Sequence, residues 1–234
     1  MTDIGLIDHL HRNAALFAAD LAACDDTGKL TAPDFCSLAR RDGTLSKSVV
    51  WINDIFKSPV FRWAHVEFFS IADQIAVIHV CVFPHFDHAA PIFGFDIIAS
   101  CHKATGAFLD LSPTVDVAEK AIAQWGMKTK KDRAGFSDHR DLPDWAAEIF
   151  SPSALAIRPV SLQEVDDVLA LGRASLAMWL DQPAITFPAA QMMAAQRRYV
   201  EGQRRNQHTF RMLSTCVGPA LAREFIDDWL FPTP

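Results

Sequence analysis

The chain has 234 residues, half of them hydrophobic, with a charged fraction of 21% and a formal net charge of −6. That much apolar material can bury one full core and excludes a disordered chain, while the acidic balance argues against general nucleic-acid binding and leaves room for a local basic patch. The five cysteines, Cys24, Cys36, Cys81, Cys101 and Cys216, show no CxxC spacing and read as reduced thiols rather than a disulfide or zinc framework.

Asp3, Asp8 and His9 stand where a signal peptide would need a basic region and an apolar run. No stretch approaches the length of a membrane span. The expectation is a cytoplasmic protein of a single domain over residues 1–234, monomeric, with neither membrane nor nucleic acid as partner. Residues 6–24 have apolar spacing suited to a helix, and 45–60 suggest a second, shorter one. From His65 the signal changes to short strands: His65–Phe69, Ile75–Phe83, Ile92–Ser100 and Gly106–Leu111. Turn-like residues 70–73, the Pro84–Pro91 loop and Cys101–Thr105 separate them, and connections this short favour antiparallel neighbours.

Residues 115–125 read as helical, and Asp141-Leu-Pro-Asp-Trp145 and Phe150-Ser-Pro152 are turn signals. Ala154–Arg158 is a candidate last strand, closed by Pro159. Ser161, followed by Glu164, forms a capping box for a helix running toward Leu180. The C-terminal third is helical in pattern, with breaks near Pro183, Pro188 and Gly218. The whole reads as a central antiparallel sheet with helices before and after it, an α+β or α/β/α arrangement.

Glu67, His79 and Asp96 are threaded through the apolar strand runs. A hairpin turn centred near Ala72–Asp73 sets Glu67 opposite His79, and a connection centred on Asp87–His88 sets His79 opposite Asp96. The three then form a lateral row on one face of adjacent strands, a placement that a slip of one residue would destroy. Two carboxylates flanking an imidazole in an apolar pocket can hold a proton near neutrality and donate it to a bound molecule. The same residues could instead line the solvent face of a half-exposed sheet, or bind a metal if His65 joined them. Phe68, Phe69, Phe83, Phe86, Phe93, Phe95 and Phe108 supply aromatics for a large flat pocket or for the core.

The segments HVEFF, VIHVCVFP, PIFGFDIIA and GAFLDLSP, followed by LPDW, IFSP and IRP, resemble the ferredoxin-dependent bilin reductases. The likeness runs from about Trp51 to Ser161 and resumes through Tyr199 and Asn206 to Trp229-Leu-Phe231. It implies an α/β fold, a three-layer α/β/α sandwich with a central antiparallel sheet, binding biliverdin IXα between the sheet and the C-terminal helices. It also implies no bound cofactor, with reduced ferredoxin delivering single electrons to a substrate that carries the radical. In the phycocyanobilin-forming branch the proton-handling residues fall on Glu67, His79 and Asp96 of this chain. Asp96 would be the central acid, His79 would share its proton and bind the lactam carbonyls, and Glu67 would act at the D-ring vinyl group. His65, of the same strand parity as Glu67, would hold a water in the relay or be a structural histidine.

The resemblance also places Arg140, just before LPDW, at a substrate propionate. Two basic groups, Lys128, Lys130, Lys131 and Arg133, and Arg197, Arg198, Arg204 and Arg205, are candidate docking faces for acidic ferredoxin. Where the family has Asn-Asp followed by Lys and Thr, this chain has Asn206-Gln207-His208-Thr209. Asn206, Gln207 and His208 can hydrogen-bond substrate, but Gln207 cannot give up an acidic proton. The product is therefore left between phycocyanobilin and phycoerythrobilin, and a bilin-binding protein without turnover is the alternative of a different class.

Overall fold

The computed structural model describes residues 5–37, 49–72 and 74–234. Among these, one antiparallel sheet takes its strands in chain order: β1 (Gly28–Leu30), β2 (Val49–Lys57), β3 (Phe61–Ile71), β4 (Ile75–Pro84), β5 (Ile92–Ala99), β6 (Ala104–Ser112) and β7 (Leu155–Ile157). The short connections dictate this meander. Between β3 and β4, Ile71 faces Ile75, and the Gln74 amide donates to the Ile71 carbonyl at 3.0 Å. The turn falls where the sequence places it; Asp73 within it lies outside the described residues.

The expected helix over 45–60 is instead strand β2, with residues 45–48 outside the described set. Val49, Trp51 and Ile55 of VVWINDIFK are buried on one face, a period of two that suits β-branched and aromatic residues on a pleated surface. β3 supplies its backbone partners from Val49 opposite Ile71 to Phe56 opposite Ala64. β3 itself begins at Phe61 rather than His65.

Helices cover both faces: α1 (Leu6–Ala22), α2 (Asp116–Lys128), α3 (Lys130–Ala134), α4 (Asp144–Ala147), α5 (Leu162–Leu180), α6 (Ala189–Arg204), α7 (Gln207–Val217), α8 (Pro219–Glu224) and a π-helical segment, Phe225–Leu230. On one face Leu10, Phe17 and Leu21 of α1 and Val168, Leu176 and Trp179 of α5 pack on Phe68, Phe93, Phe95 and Ile97. Contact there is close enough that a Cβ at Gly172 would lie 2.8 Å from ring carbons of Phe95. On the other face Tyr199 and Val200 of α6, Leu213 of α7 and Phe225 of the π-helical segment pack with Trp51, Phe69 and Phe83. The result is the expected three-layer α/β/α sandwich.

α5 begins at the expected cap, with Ser161 Oγ accepting from the Glu164 amide at 3.1 Å. The Glu164 carboxylate reaches back to the Val160 amide at 2.9 Å and takes in Ser137 as well, tying the helix start to the preceding loop. α6 starts after Pro188, and α7 ends at Gly218, whose φ of 86° needs a residue without a Cβ. A further break, between α6 and α7, has Asn206 Oδ1 accepting from the His208 amide at 3.0 Å. No helix among the described residues is long and apolar enough to cross a membrane.

Candidate active site

The register sets Glu67 opposite His79 and His79 opposite Asp96, so that β3, β4 and β5 each contribute one polar side chain to a single row. His79 Nδ1–H donates to Asp96 Oδ1 at 2.7 Å. The imidazole is buried, while the Asp96 side chain remains 37% exposed. Glu67 is buried and accepts a 2.6 Å hydrogen bond from the indole N–H of Trp51 on β2. His65, fully buried beside Glu67 on β3, has its Nε2 2.9 Å from Asn53 Oδ1, also on β2. The His65 and His79 rings are 6.0 Å apart, and His65 Nδ1 and His79 Nε2 are buried without a hydrogen-bond partner.

These surroundings separate the groups electrostatically. Burial alone would depress the His79 pKa, but the Asp96 carboxylate and its hydrogen bond hold it well above the usual imidazole range. His65 is driven well below that range, by burial first and by the charge of His79 second. Burial lifts Glu67 to about 7, against the opposing pull of His79 and the Trp51 hydrogen bond. A proton shared by His79 and Asp96 thus sits beside a carboxyl group that titrates near neutrality.

A narrow cleft with about 20 Å³ of free space opens next to the row, lined by His79, Gly94, Asp96 and Phe108 from the sheet and by Phe150, Tyr199 and Gln203 opposite. Asp110 also lines it, accepting from Ser151 Oγ at 2.5 Å, the Ser151 amide at 2.9 Å and Ser112 Oγ at 2.7 Å. Burial pushes Asp110 up to about 6 despite those donors. Tyr199, the chain's only tyrosine, accepts from the Gln203 amide at 2.8 Å and lies close to Gly94. Sequence reading missed Asp110, Tyr199 and Gln203 as site residues. Strand parity with Phe108 marks the first, and i,i+4 spacing on α6 relates the other two.

The C-terminal segment closes the other end of the row. Phe231 lies edge-on to His79 at 5.6 Å between ring centroids, and Phe225 contacts the rings of His65 at 6.0 Å and Trp51 at 4.7 Å. Arg204 at the end of α6 anchors this cover, reaching the carbonyls of Asp227 at 2.7 Å and Phe231 at 2.8 Å and the Thr233 hydroxyl at 2.9 Å.

The other expected binding residues divide. Arg140 is exposed, its guanidinium over Gly106 and 3.4 Å from the Thr105 carbonyl, and it does not line the cleft. Asn206, Gln207 and His208 are not brought to the row. Asn206 spends its side chain capping α7, while Gln207 and His208 are exposed on the first turn of that helix. Tyr199 and Gln203 of α6 occupy the cleft wall instead.

The two basic groups are also unequal. Arg204 is turned inward, Arg205 pairs with Glu148 at 2.5 Å, and Arg198 reaches the Thr114 carbonyl at 3.3 Å. Arg133 points inward to the carbonyls of Ser153 at 2.7 Å and Gly126 at 2.9 Å, whereas Lys128, Lys130 and Lys131 are exposed. Cys81, in the same face as His79, is buried and its thiol pKa is raised by that burial. Among the described residues no group of three or more His, Cys, Asp or Glu side chains is arranged to hold a metal ion.

This arrangement can be set beside known proteins. The sequence profile of the ferredoxin-dependent bilin reductases matches residues 31–232. A phycocyanobilin:ferredoxin oxidoreductase of Gloeobacter violaceus is 33% identical over 189 residues, 78% of this chain and 74% of that protein. Its counterpart in Trichodesmium erythraeum is 27% identical over 188 residues, 78% of this chain and 76% of that protein. The crystal structure of tomato phytochromobilin synthase in complex with biliverdin superposes with a TM-score of 0.72 at 17% identity, covering 95% of this chain and 81% of that one, which supports the fold. The chain belongs to the ferredoxin-dependent bilin reductase family.

Proposed function

We propose that the protein reduces biliverdin IXα to a phycobilin, phycocyanobilin foremost, with ferredoxin delivering electrons one at a time to the bound substrate. The observation that carries this reading is the half-buried 2.7 Å hydrogen bond between His79 and Asp96, with Glu67 in the same row. Reducing one carbon–carbon double bond consumes two electrons and two protons. The electrons come from ferredoxin, and the residues of the row are the proton sources. Asp96, partly open to the cleft, meets the tetrapyrrole; His79 shares its proton and donates to the lactam carbonyls. Glu67, with its pKa lifted to about 7, carries a transferable proton at the far end of the row. Arg140, exposed over Gly106, is a guanidinium suited to a propionate.

A second product reading has its own observation. Gln207 has no acidic proton and is exposed on α7, so the second reduction cannot draw its proton from this position, and phycoerythrobilin is the alternative product. Anaerobic incubation of biliverdin with the protein, ferredoxin, ferredoxin reductase and NADPH, followed by chromatography of the bilin, distinguishes the products. The expected result is loss of the biliverdin absorption band and a blue-shifted bilin, with Asp96→Asn binding substrate but stalling at a radical. Biliverdin bound and left unreduced by the wild-type protein would identify a bilin-binding protein without turnover.

A further inference from the structure

We propose that Trp51 and Asn53, alternate residues of β2, are positioning residues that orient Glu67 and fix the tautomer of His65 on the neighbouring strand. The inference deepens the reductase reading, on which the roles of Glu67 and His65 in catalysis rest. Both β2 side chains face the row because β2 pairs in register with β3, Asn53 opposite Glu67 and Ile55 opposite His65. Each reaches diagonally along the strands, Trp51 to Glu67 at 2.6 Å and Asn53 to His65 at 2.9 Å.

The chemistry of the two groups determines what these contacts do. An indole N–H donates and cannot accept. Glu67 must therefore present Oε1 to Trp51 as an acceptor in either protonation state. When protonated, Glu67 carries its hydrogen on Oε2, so the indole decides which oxygen releases the proton. Asn53 Oδ1, as an acceptor, selects the Nε2–H tautomer of His65 and leaves the buried, unpartnered Nδ1 lone pair free on the other side of the ring. His65 then accepts at Nδ1 and does not compete with Glu67 as a donor.

A packing role for Trp51 is the rival account, since its ring lies 4.7 Å from Phe225, 5.1 Å from Phe35 and 5.5 Å from Phe69 between centroids. Trp51→Phe separates the two, keeping an aromatic ring and removing the donor. Besides Trp51, the groups that act on Glu67 are His79 of β4 and Asp96 of β5, while the C-terminal cover contributes the uncharged rings of Phe225 and Phe231.

The test is NMR of the substrate-free protein with ¹³C-labelled glutamate carboxyls and ¹⁵N-labelled tryptophan and histidine side chains. A lost donor to a buried carboxylate should raise the proton affinity of Glu67 roughly tenfold in Trp51→Phe. In the wild-type protein the Trp51 indole resonance should move with the titration of Glu67, and Glu67→Gln should abolish that movement; this arm needs no change at Trp51. The His65 nitrogens should report a protonated Nε2, and Asn53→Leu should mix the tautomers. A Glu67 titration unchanged in Trp51→Phe, an indole resonance indifferent to it, or a wild-type His65 protonated at Nδ1 overturns the proposal even in an active enzyme. If the titrations behave as expected and biliverdin is never reduced, the positioning stands and the reductase reading falls.

Discussion

Glu67 and His79 stand on neighbouring strands, yet burial acts on them in opposite senses, and this has a thermodynamic signature. Glu67 is lifted from 4.5 to about 7 by burial in the folded chain. As pH rises through this interval the unfolded chain releases the proton first, so folding stability falls until the folded carboxyl also ionises and stays lower above that point. Glu67→Gln keeps an oxygen for the Trp51 indole and removes the penalty. Urea denaturation should therefore find the variant close to wild type near pH 4 and more stable by up to about 3 kcal/mol near pH 8. An equal difference at both pH values would show that Glu67 ionises like an exposed carboxyl. The row was legible in the sequence because two short turns fix which residues face one another. Trp51 and Asn53 were not, since β2 carried a misleading helical spacing that only its pairing with β3 overrides. Asp110 lay in the quoted GAFLDLSP segment, but nothing local announced that Ser151, far along the chain, would close over it. Asn206 misled for the converse reason: an asparagine before a helix serves the backbone as readily as a substrate.

At the level of elements, the sheet is held between two helical layers at different closeness. α5 approaches the sheet through Gly172, where an added Cβ would sit 2.8 Å from Phe95 and 3.1 Å from Phe17. Gly172→Ala gains up to about 1 kcal/mol of helix propensity. Overpacking of about 1–3 kcal/mol should outweigh that gain where neither aromatic ring has room to retreat. A lower midpoint in thermal or urea denaturation is expected, and a raised one would mean that α5 shifts outward without cost. The start of α5 was readable from Ser161 and Glu164, and the end of α7 from Gly218, because caps and positive φ are local requirements. The junction of α6 and α7 was not, since Arg204-Arg205-Asn206 contains neither glycine nor proline.

For the whole molecule, a net charge of −6 makes the distribution of cations more informative than their number. Lys128, Lys130 and Lys131 are exposed around Met127, itself 71% exposed, and Arg133 joins this segment to the loop that carries Ala154 to the cleft. A basic rim around an apolar centre suits an acidic electron donor. Reversing charge at Lys130 and Lys131 should raise the ferredoxin concentration needed for half-maximal turnover several-fold and flatten its salt dependence, leaving biliverdin affinity unchanged. A normal ferredoxin titration in that variant would place docking elsewhere. Arg204 and Arg205 make a poor comparison, because reversing them would disrupt the C-terminal segment and the pairing with Glu148.

Anchoring of that C-terminal segment sets a clock. With Phe231 against His79 and Phe225 against His65, the row is covered, and the free space enclosed beside it, about 20 Å³, falls far short of the ~300–1,000 Å³ usual for ligand sites. A four-ring tetrapyrrole lying along the row must wait for the cover to part, so its apparent affinity is the intrinsic one diminished by the fraction of molecules already open. Arg204→Ala removes the hydrogen bonds that hold the cover and should increase that fraction. Stopped-flow mixing with biliverdin should then show association accelerated by roughly tenfold, the equivalent of about 1.4 kcal/mol in the opening equilibrium. Wild-type association should saturate at a ceiling independent of biliverdin concentration, the opening rate itself, and Arg204→Ala should lift that ceiling. A rate that climbs linearly with biliverdin in both proteins would mean that the substrate meets an open row from the start.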